Sequence, residues 1–291
     1  LQRTRNHGGL TSMLKQRVIT ALVLLALLLP ALFAQTAEPL AGLGLILIAA
    51  AAWEWGRLNG LAMRGALRLA AVCLIVCLFI WQARWAYDAP FDVWTPVGGF
   101  WVLAGAWLIH RGVAAWGQTS AWLRLIAGLI LLCVTWWALY QAKVMGVNFL
   151  LSVLALVWMA DIAAYFAGHA FGKRKLAIHI SPGKSWEGVW GGMAGVLLMA
   201  FIWSWSDTQW QPDSLSLYTR LAQQGWPYMV LAVVFLAAMS VVGDLVESLV
   251  KRSAGMKDSS HLLPGHGGVL DRVDALLPTL PLALMLVQTQ A

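Results

Sequence analysis

Residues 228–252 read YMVLAVVFLAAMSVVGDLVESLVKR, and this stretch sets both the class of fold and the place to look for chemistry. From Tyr228 to Gly243 no residue is charged, and the apolar run continues to Val250. That length suits a bilayer, whose hydrocarbon core takes about 20 apolar residues of helix. Toward its end Asp244, Glu247, Ser248 and Lys251 recur at i, i+3, i+4 and i+7, the spacing of one helical stripe. Acids inside a span carry a free-energy cost, so the stripe marks either a working site or a polar seam between helices.

The rest of the chain follows the same pattern. It has 291 residues, 60% hydrophobic and 11% charged, with a mean hydropathy of +0.72. An ordinary soluble domain has about 25% charged residues, so a water-soluble globule, a disordered chain and a disulfide scaffold are excluded. The expected fold is all-α, a polytopic integral membrane protein with about nine transmembrane helices. The candidate spans are 18–33, 40–55, 67–85, 98–110, 121–140, 147–166, 188–205, 228–250 and 269–287. The fourth is short and loosened by Gly98, Gly99 and Gly105, which leaves a tilted or re-entrant segment open. Cytoplasmic loops are enriched in Lys and Arg, so the basic residues test this count. With the N-terminus in the cytoplasm, seventeen of the twenty fall on the inner side; only Arg84, Lys143 and Arg220 fall outside.

Three regions follow. Residues 1–12 read as an extension ahead of Met13, where MLKQRVITALVLL looks like a natural start; 13–146 carry the N-terminal transmembrane helices; 147–291 form a C-terminal transmembrane catalytic region with a cytoplasm-facing site. Cys73, Cys77 and Cys133 lie in apolar runs with no CxxC or Cys/His cluster, and read as small buried hydrophobes. Trp53, Trp55, Trp85, Trp186, Trp205 and Trp226 lie near span ends and read as interfacial anchors. The acids are distributed unevenly. Up to Lys143 the inner side has one, Glu54, at a membrane boundary. From Val147 onward it gathers Asp161, Glu187, Asp244, Glu247, Asp258, Asp271 and Asp274.

The stripe on 228–250 leads into KRSAGMKDSSHLLPGHGG and then VLDRVD, where Asp271 and Asp274 share a helix face. A helix–loop–helix hairpin can bring Asp244 and Asp271 opposite each other, and two facing carboxylates repel unless something positive stands between them. Mg²⁺ fits, since it takes one or two carboxylates and completes its shell with water and phosphate oxygens. Lys251, Arg252, Lys257 and Arg272 supply positive charge suited to phosphate. Gly265, Gly267 and Gly268 let backbone N–H groups approach an anion. His266, among them, is either a phosphate donor or proton shuttle, or a brace for the turn. A second cluster comprises Asp161, Tyr165 and Gly168 on one helix face, then Ser181-Pro182-Gly183-Lys184-Ser185, read as a phosphate-friendly turn, with Glu187 just beyond. It lacks the Walker A spacing and is weak evidence alone.

From Ser248 to Asp274 the pattern S-x-x-K-R-x₄-K-D-x₅-P-G-H-G-G-x-x-D-R-x-D resembles that of the phosphatidate cytidylyltransferases, the CDP-diacylglycerol synthases. The segments D-x-x-A-Y-x-x-G from Asp161 and S-P-G-K-S-W-E-G from Ser181, with the opening MLKQRVITA, are similar to that family too. The resemblance runs from about Met13 to the C-terminus and leaves residues 1–12 outside. It implies an enzyme of the inner membrane that makes CDP-diacylglycerol and pyrophosphate from CTP and phosphatidic acid with Mg²⁺, with K⁺ as a second cation and a homodimer as the assembly. Asp244 and Asp271 would be the metal carboxylates, with Asp274 and Glu247 as further ligands. Lys251, Arg252, Lys257, Asp258, His266 and Arg272 would complete the catalytic set. Asp161, Tyr165, Ser181, Lys184, Glu187, Ser248, Gly267 and Gly268 would bind substrate.

The net charge of +7 then reads as attraction to anionic lipid and nucleotide, with no nucleic-acid partner expected. Two rivals stay open. A secondary transporter also carries membrane carboxylates, although these gather at one interface and no paired broken segments are visible. An enzyme joining another lipid phosphate to a nucleotide would look alike, because an apolar lipid groove leaves no readable code.

Overall fold

A computed structural model describes residues 7–85, 87, 92–210 and 212–288. The helices are α1 His7–Phe33, α2 Glu38–Leu58, α3 Met63–Gln82, α4 Trp94–Arg111, α5 Val113–Gln118, α6 Ala121–Val144 and α7 Val147–Phe171. After a hairpin of β1 Lys175–Ala177 and β2 Ser181–Ser185 come α8 Trp186–Trp210, α9 Leu217–Ala222, α10 Trp226–Ser253, α11 Leu270–Val273 and α12 Leu276–Gln288. The chain is an all-α membrane protein. Among the described residues seven helices, α1, α2, α3, α6, α7, α8 and α10, are long and apolar enough to cross a bilayer.

Local chemistry explains where the helices start. Pro39 and Pro227 occupy the first turns of α2 and α10, where a missing N–H costs nothing. Asp92 caps α4 by accepting the N–H groups of Trp94 (3.0 Å) and Thr95 (3.2 Å). The Thr95 hydroxyl and N–H together hold the Asp92 carboxyl below its usual range.

Helix packing sets the architecture. In lipid, close approach of small residues replaces the hydrophobic drive that joins helices in water. Gly188, Gly191, Gly192 and Gly195 put a smooth stripe of α8 against Ala160, Ala163, Ala164 and Ala167 of α7. A Cβ at Gly192 would stand 2.9 Å from the carbonyl oxygen of Ala160. The best-buried spans are α2 and α10; α1 and α3 present most of their surface outward.

Several expectations change in detail. Span 98–110 is part of one continuous helix, α4, which is not among the seven long apolar helices. Span 269–287 is divided into α11 and α12, and the 13 residues of α12 reach about 20 Å at 1.5 Å each. SPGKS is no turn; it is β2, paired antiparallel with β1, and residues 178–180 make the turn. Trp55 is no interfacial anchor. It is buried, lies against Gly128, and donates its indole N–H to the carbonyl of Arg124 (3.0 Å). The three cysteines do converge. Cys73 and Cys133 sulfurs are 3.6 Å apart and all three lie within 4.8 Å, where α6 sets Cys133 against Cys73 and Cys77, one turn apart on α3. Arg3 and Arg5, part of the inner-side basic count, lie outside the described residues, as does the first half of the 1–12 segment.

Candidate active site

The glycine-mediated contact of α7 and α8 opens into a cavity of about 480 Å³, bounded also by β2 and α10. Asp161, Tyr165 and Gly168 of α7, Lys184 and Ser185 of β2, and Asp244 of α10 line it. Lys184 reaches across to Asp244, with Nζ 2.6 Å from Oδ2. Ser248, one turn on, donates its hydroxyl to the other Asp244 oxygen (3.1 Å) and fixes the carboxylate plane. Asp161 lies in the field of both Lys184 and Asp244. Tyr165 is exposed and stacks on His169, their rings 7° from parallel. Ser181 and Glu187 do not line the cavity. Glu187 accepts the backbone N–H groups of Lys173 (3.1 Å) and Arg174 (3.2 Å), so it holds the entrance to the hairpin that presents Lys184.

A second cluster lies one helical turn further along α10. Lys251 lies half-buried between two acids, its Nζ 2.6 Å from Glu247 Oε2 and 2.6 Å from Asp271 Oδ1. The stripe read from the sequence thus becomes two i, i+4 pairs, Asp244 with Ser248 and Glu247 with Lys251. Asp271 also accepts the N–H groups of Ser259 (3.0 Å) and Gly268 (2.8 Å) and faces the Ser259 hydroxyl (3.0 Å). This set of donors suits an ionised carboxylate. Gly267 has φ +81°, and a Cβ there would stand 2.7 Å from Asp271 Oδ2, so both its conformation and its neighbour demand glycine. Asp274 lies in the field of Asp244. Gly243 allows this, since a Cβ there would sit 2.5 Å from the Asp274 carbonyl oxygen.

The remaining residues of the sequence-derived set serve the loop. Arg252 donates to the carbonyls of Ile180 (3.4 Å) and Met256 (3.3 Å), tying the end of α10 to the hairpin. Arg272 donates to the carbonyl of His266 (2.9 Å), and the buried His266 Nδ1 has no hydrogen-bond partner among the described residues. Lys257 and Asp258 are exposed.

Asp161, Asp244, Glu247, Asp271 and Asp274 offer carboxylate oxygens to this region, the chemistry of a hard divalent cation, beside His169 at the cavity. Among the described residues no three of these carboxylates bring oxygens within 4.8 Å of one another. Asp244, Glu247, Asp271 and Asp274 are therefore not a closed cage. Mg²⁺ held by one or two carboxylates plus substrate phosphates fits such a set.

One further acid, named from the sequence only for its place at a membrane boundary, supports the loop. Glu54 of α2 is fully buried and accepts the N–H groups of Val269 (2.9 Å) and Leu270 (2.7 Å) at the start of α11. It also accepts the hydroxyls of Ser259 (3.1 Å) and Ser260. α1 touches the same loop, with the Thr20 hydroxyl donating to the Pro264 carbonyl (3.0 Å) and Arg17 packed on Gly265. The only signal in the sequence was an acid at the end of an apolar run.

Membrane-crossing helices that enclose lysine–carboxylate pairs beside a cavity define an integral membrane protein with a built ionic site. Residues 15–290 match the cytidylyltransferase family; the chain belongs to that family and is a nucleotidyltransferase. It is 39% identical over 277 residues to the phosphatidate cytidylyltransferase of Pseudomonas aeruginosa, covering 92% of this chain and 95% of that one. It is 36% identical over 290 residues to the protein of the same name from Haemophilus influenzae, covering 92% and 96%. With that of Brucella suis it shares 39% over 201 residues, covering 59% and 68%.

Proposed function

We propose that this chain transfers the cytidylyl group of CTP to phosphatidic acid, giving CDP-diacylglycerol and pyrophosphate. The observation that carries this is the end-to-end identity with proteins named for that activity. The cavity beside Lys184 and Asp244 is consistent with a phosphate ligand that meets a cation and an acid together.

In this reading a phosphate oxygen of the lipid attacks the α-phosphorus of CTP in line. The new P–O bond forms as the α–β anhydride bond breaks, and pyrophosphate leaves with the electron pair. The nucleophile is already an anion, so positioning and charge neutralisation matter more than a general base. Lys184 would exchange Asp244 for a nucleotide phosphate, and Ser248 would keep the Asp244 carboxylate oriented. Lys251 would neutralise Asp271 and Glu247, while Lys257 faces incoming phosphates. Asp244 and Asp271, with Asp274 beside them, would hold Mg²⁺, with K⁺ as a second ion; such a cation supplies Lewis-acid neutralisation of phosphate charge. The topology proposed with this is nine spans with the N-terminus and the active site on the cytoplasmic side of the inner membrane, in a homodimer.

Purified protein in detergent, given labelled CTP, phosphatidate and Mg²⁺, should move label into the organic phase only when phosphatidate is present. Folded protein that gives no organic-soluble label would overturn the proposal.

A further inference from the structure

Glu54 belongs to α2, in the N-terminal half, yet its carboxylate is spent on the active-site loop. Each oxygen takes one backbone N–H at the start of α11 and one serine hydroxyl from the loop. Ser259 then stands between two carboxylates. Its Oγ is 3.1 Å from Glu54 and 3.0 Å from Asp271, while its N–H donates to Asp271. The neighbouring Gly268, whose N–H also serves Asp271, is so close to Glu54 and Ser259 that no Cβ fits.

An uncapped helix start presents N–H groups that need an acceptor, and a fully buried acid needs donors. Glu54 and α11 meet both needs at once, across 215 and 216 residues of sequence. Asp271 follows Leu270 directly, so the same contact fixes its backbone. We infer that Glu54 is a positioning residue: it anchors the 259–271 loop from α2 and thereby aims Asp271 in the cytidylyl transfer proposed above, on which this inference rests.

Glutamine separates this role from packing. It matches glutamate in shape, but its NH₂ must face a backbone N–H, because each Glu54 oxygen has one. If Glu54 only fills space, E54Q should behave as wild type and E54A should be worse. If Glu54 positions the loop, E54Q should be as impaired as E54A. The expected result is kcat per folded molecule down at least about tenfold in both, on the scale of small misplacements of catalytic groups. KM for CTP should stay within about threefold, because the cavity walls do not include residues 259–271. S260A, which deletes one loop-side donor and leaves the acid in place, should lower kcat about threefold and covers the case in which E54Q does not fold. Hydrogen exchange of wild type and E54Q, or S260A in that case, should differ by faster exchange confined to residues 256–270.

A kcat within twofold of wild type in E54Q, or in S260A if E54Q does not fold, would overturn the inference. So would loss of protection spread evenly over the membrane helices. If wild type lacks cytidylyl transfer altogether, the proposed function fails, and the exchange experiment still decides whether Glu54 holds the loop.

Discussion

At the scale of single residues, the two lysines do different work. Lys184 borders the cavity and pairs with Asp244, with 24% of its side chain exposed, whereas Lys251 is held between Glu247 and Asp271, with 12% exposed. Lys184→Met should therefore raise KM for CTP about tenfold, the scale of one charge-assisted contact, with little loss of stability. Lys251→Met should instead leave the buried Glu247 and the half-buried Asp271 without their cation, at about 3–5 kcal/mol for breaking a buried pair. Thermal unfolding in detergent checks the contrast: a strong drop in Tm for Lys251→Met and a small one for Lys184→Met. Equal drops would show that the two pairs are not distinct. Asp271→Asn keeps the size of the side chain and removes its charge. It should cut kcat by about 10² or more, the cost seen for losing one preorganised electrostatic group, and steady-state assay of folded variant reads this. The acids and lysines were visible in the sequence because charge is rare there; Glu54 was not singled out, because its partners lie 205 to 216 residues away.

At the scale of elements, the α7–α8 contact builds the cavity. Gly192→Leu would push a side chain into the Ala160 backbone and part the two helices, carrying Asp161 away from Lys184. An overpacked helix contact costs about 1–3 kcal/mol, and the expected outcome is a lowered Tm with CTP affinity reduced about tenfold, read by nucleotide titration. Unchanged affinity would mean that the cavity does not depend on this packing. The spans themselves were legible, since length and hydropathy suffice to find α1, α2, α3, α6, α7, α8 and α10. The hairpin was not. Its strands are 3 and 5 residues long, too short for any period-two pattern, and SPGKS has the composition of a turn. The break between α11 and α12 was hidden for a related reason. Asp271 and Asp274 sit in a sequence apolar enough to read as one span, while the acceptor that caps the start of α11, Glu54, comes from a tertiary contact.

At the scale of the whole molecule, the composition excluded a soluble fold, and the basic residues suggested an orientation. Cysteine labelling checks that orientation directly. Met256, after α10, and Thr208, near the end of α8, are exposed, and the native cysteines are buried. Met256→Cys should react with a membrane-impermeant maleimide only in inverted vesicles, and Thr208→Cys only in right-side-out ones. The reverse pattern would place the site on the other side of the membrane. The molecule as a whole brings an N-terminal acid, a C-terminal loop and a mid-chain hairpin around two carboxylate–lysine clusters, and the central claim is that this assembly transfers a cytidylyl group. Parallel reactions with CTP labelled at the α- or the γ-phosphorus test it most directly. The account predicts α-label in the lipid product and γ-label released as pyrophosphate; γ-label in the lipid, or no label in lipid from either substrate, would contradict it.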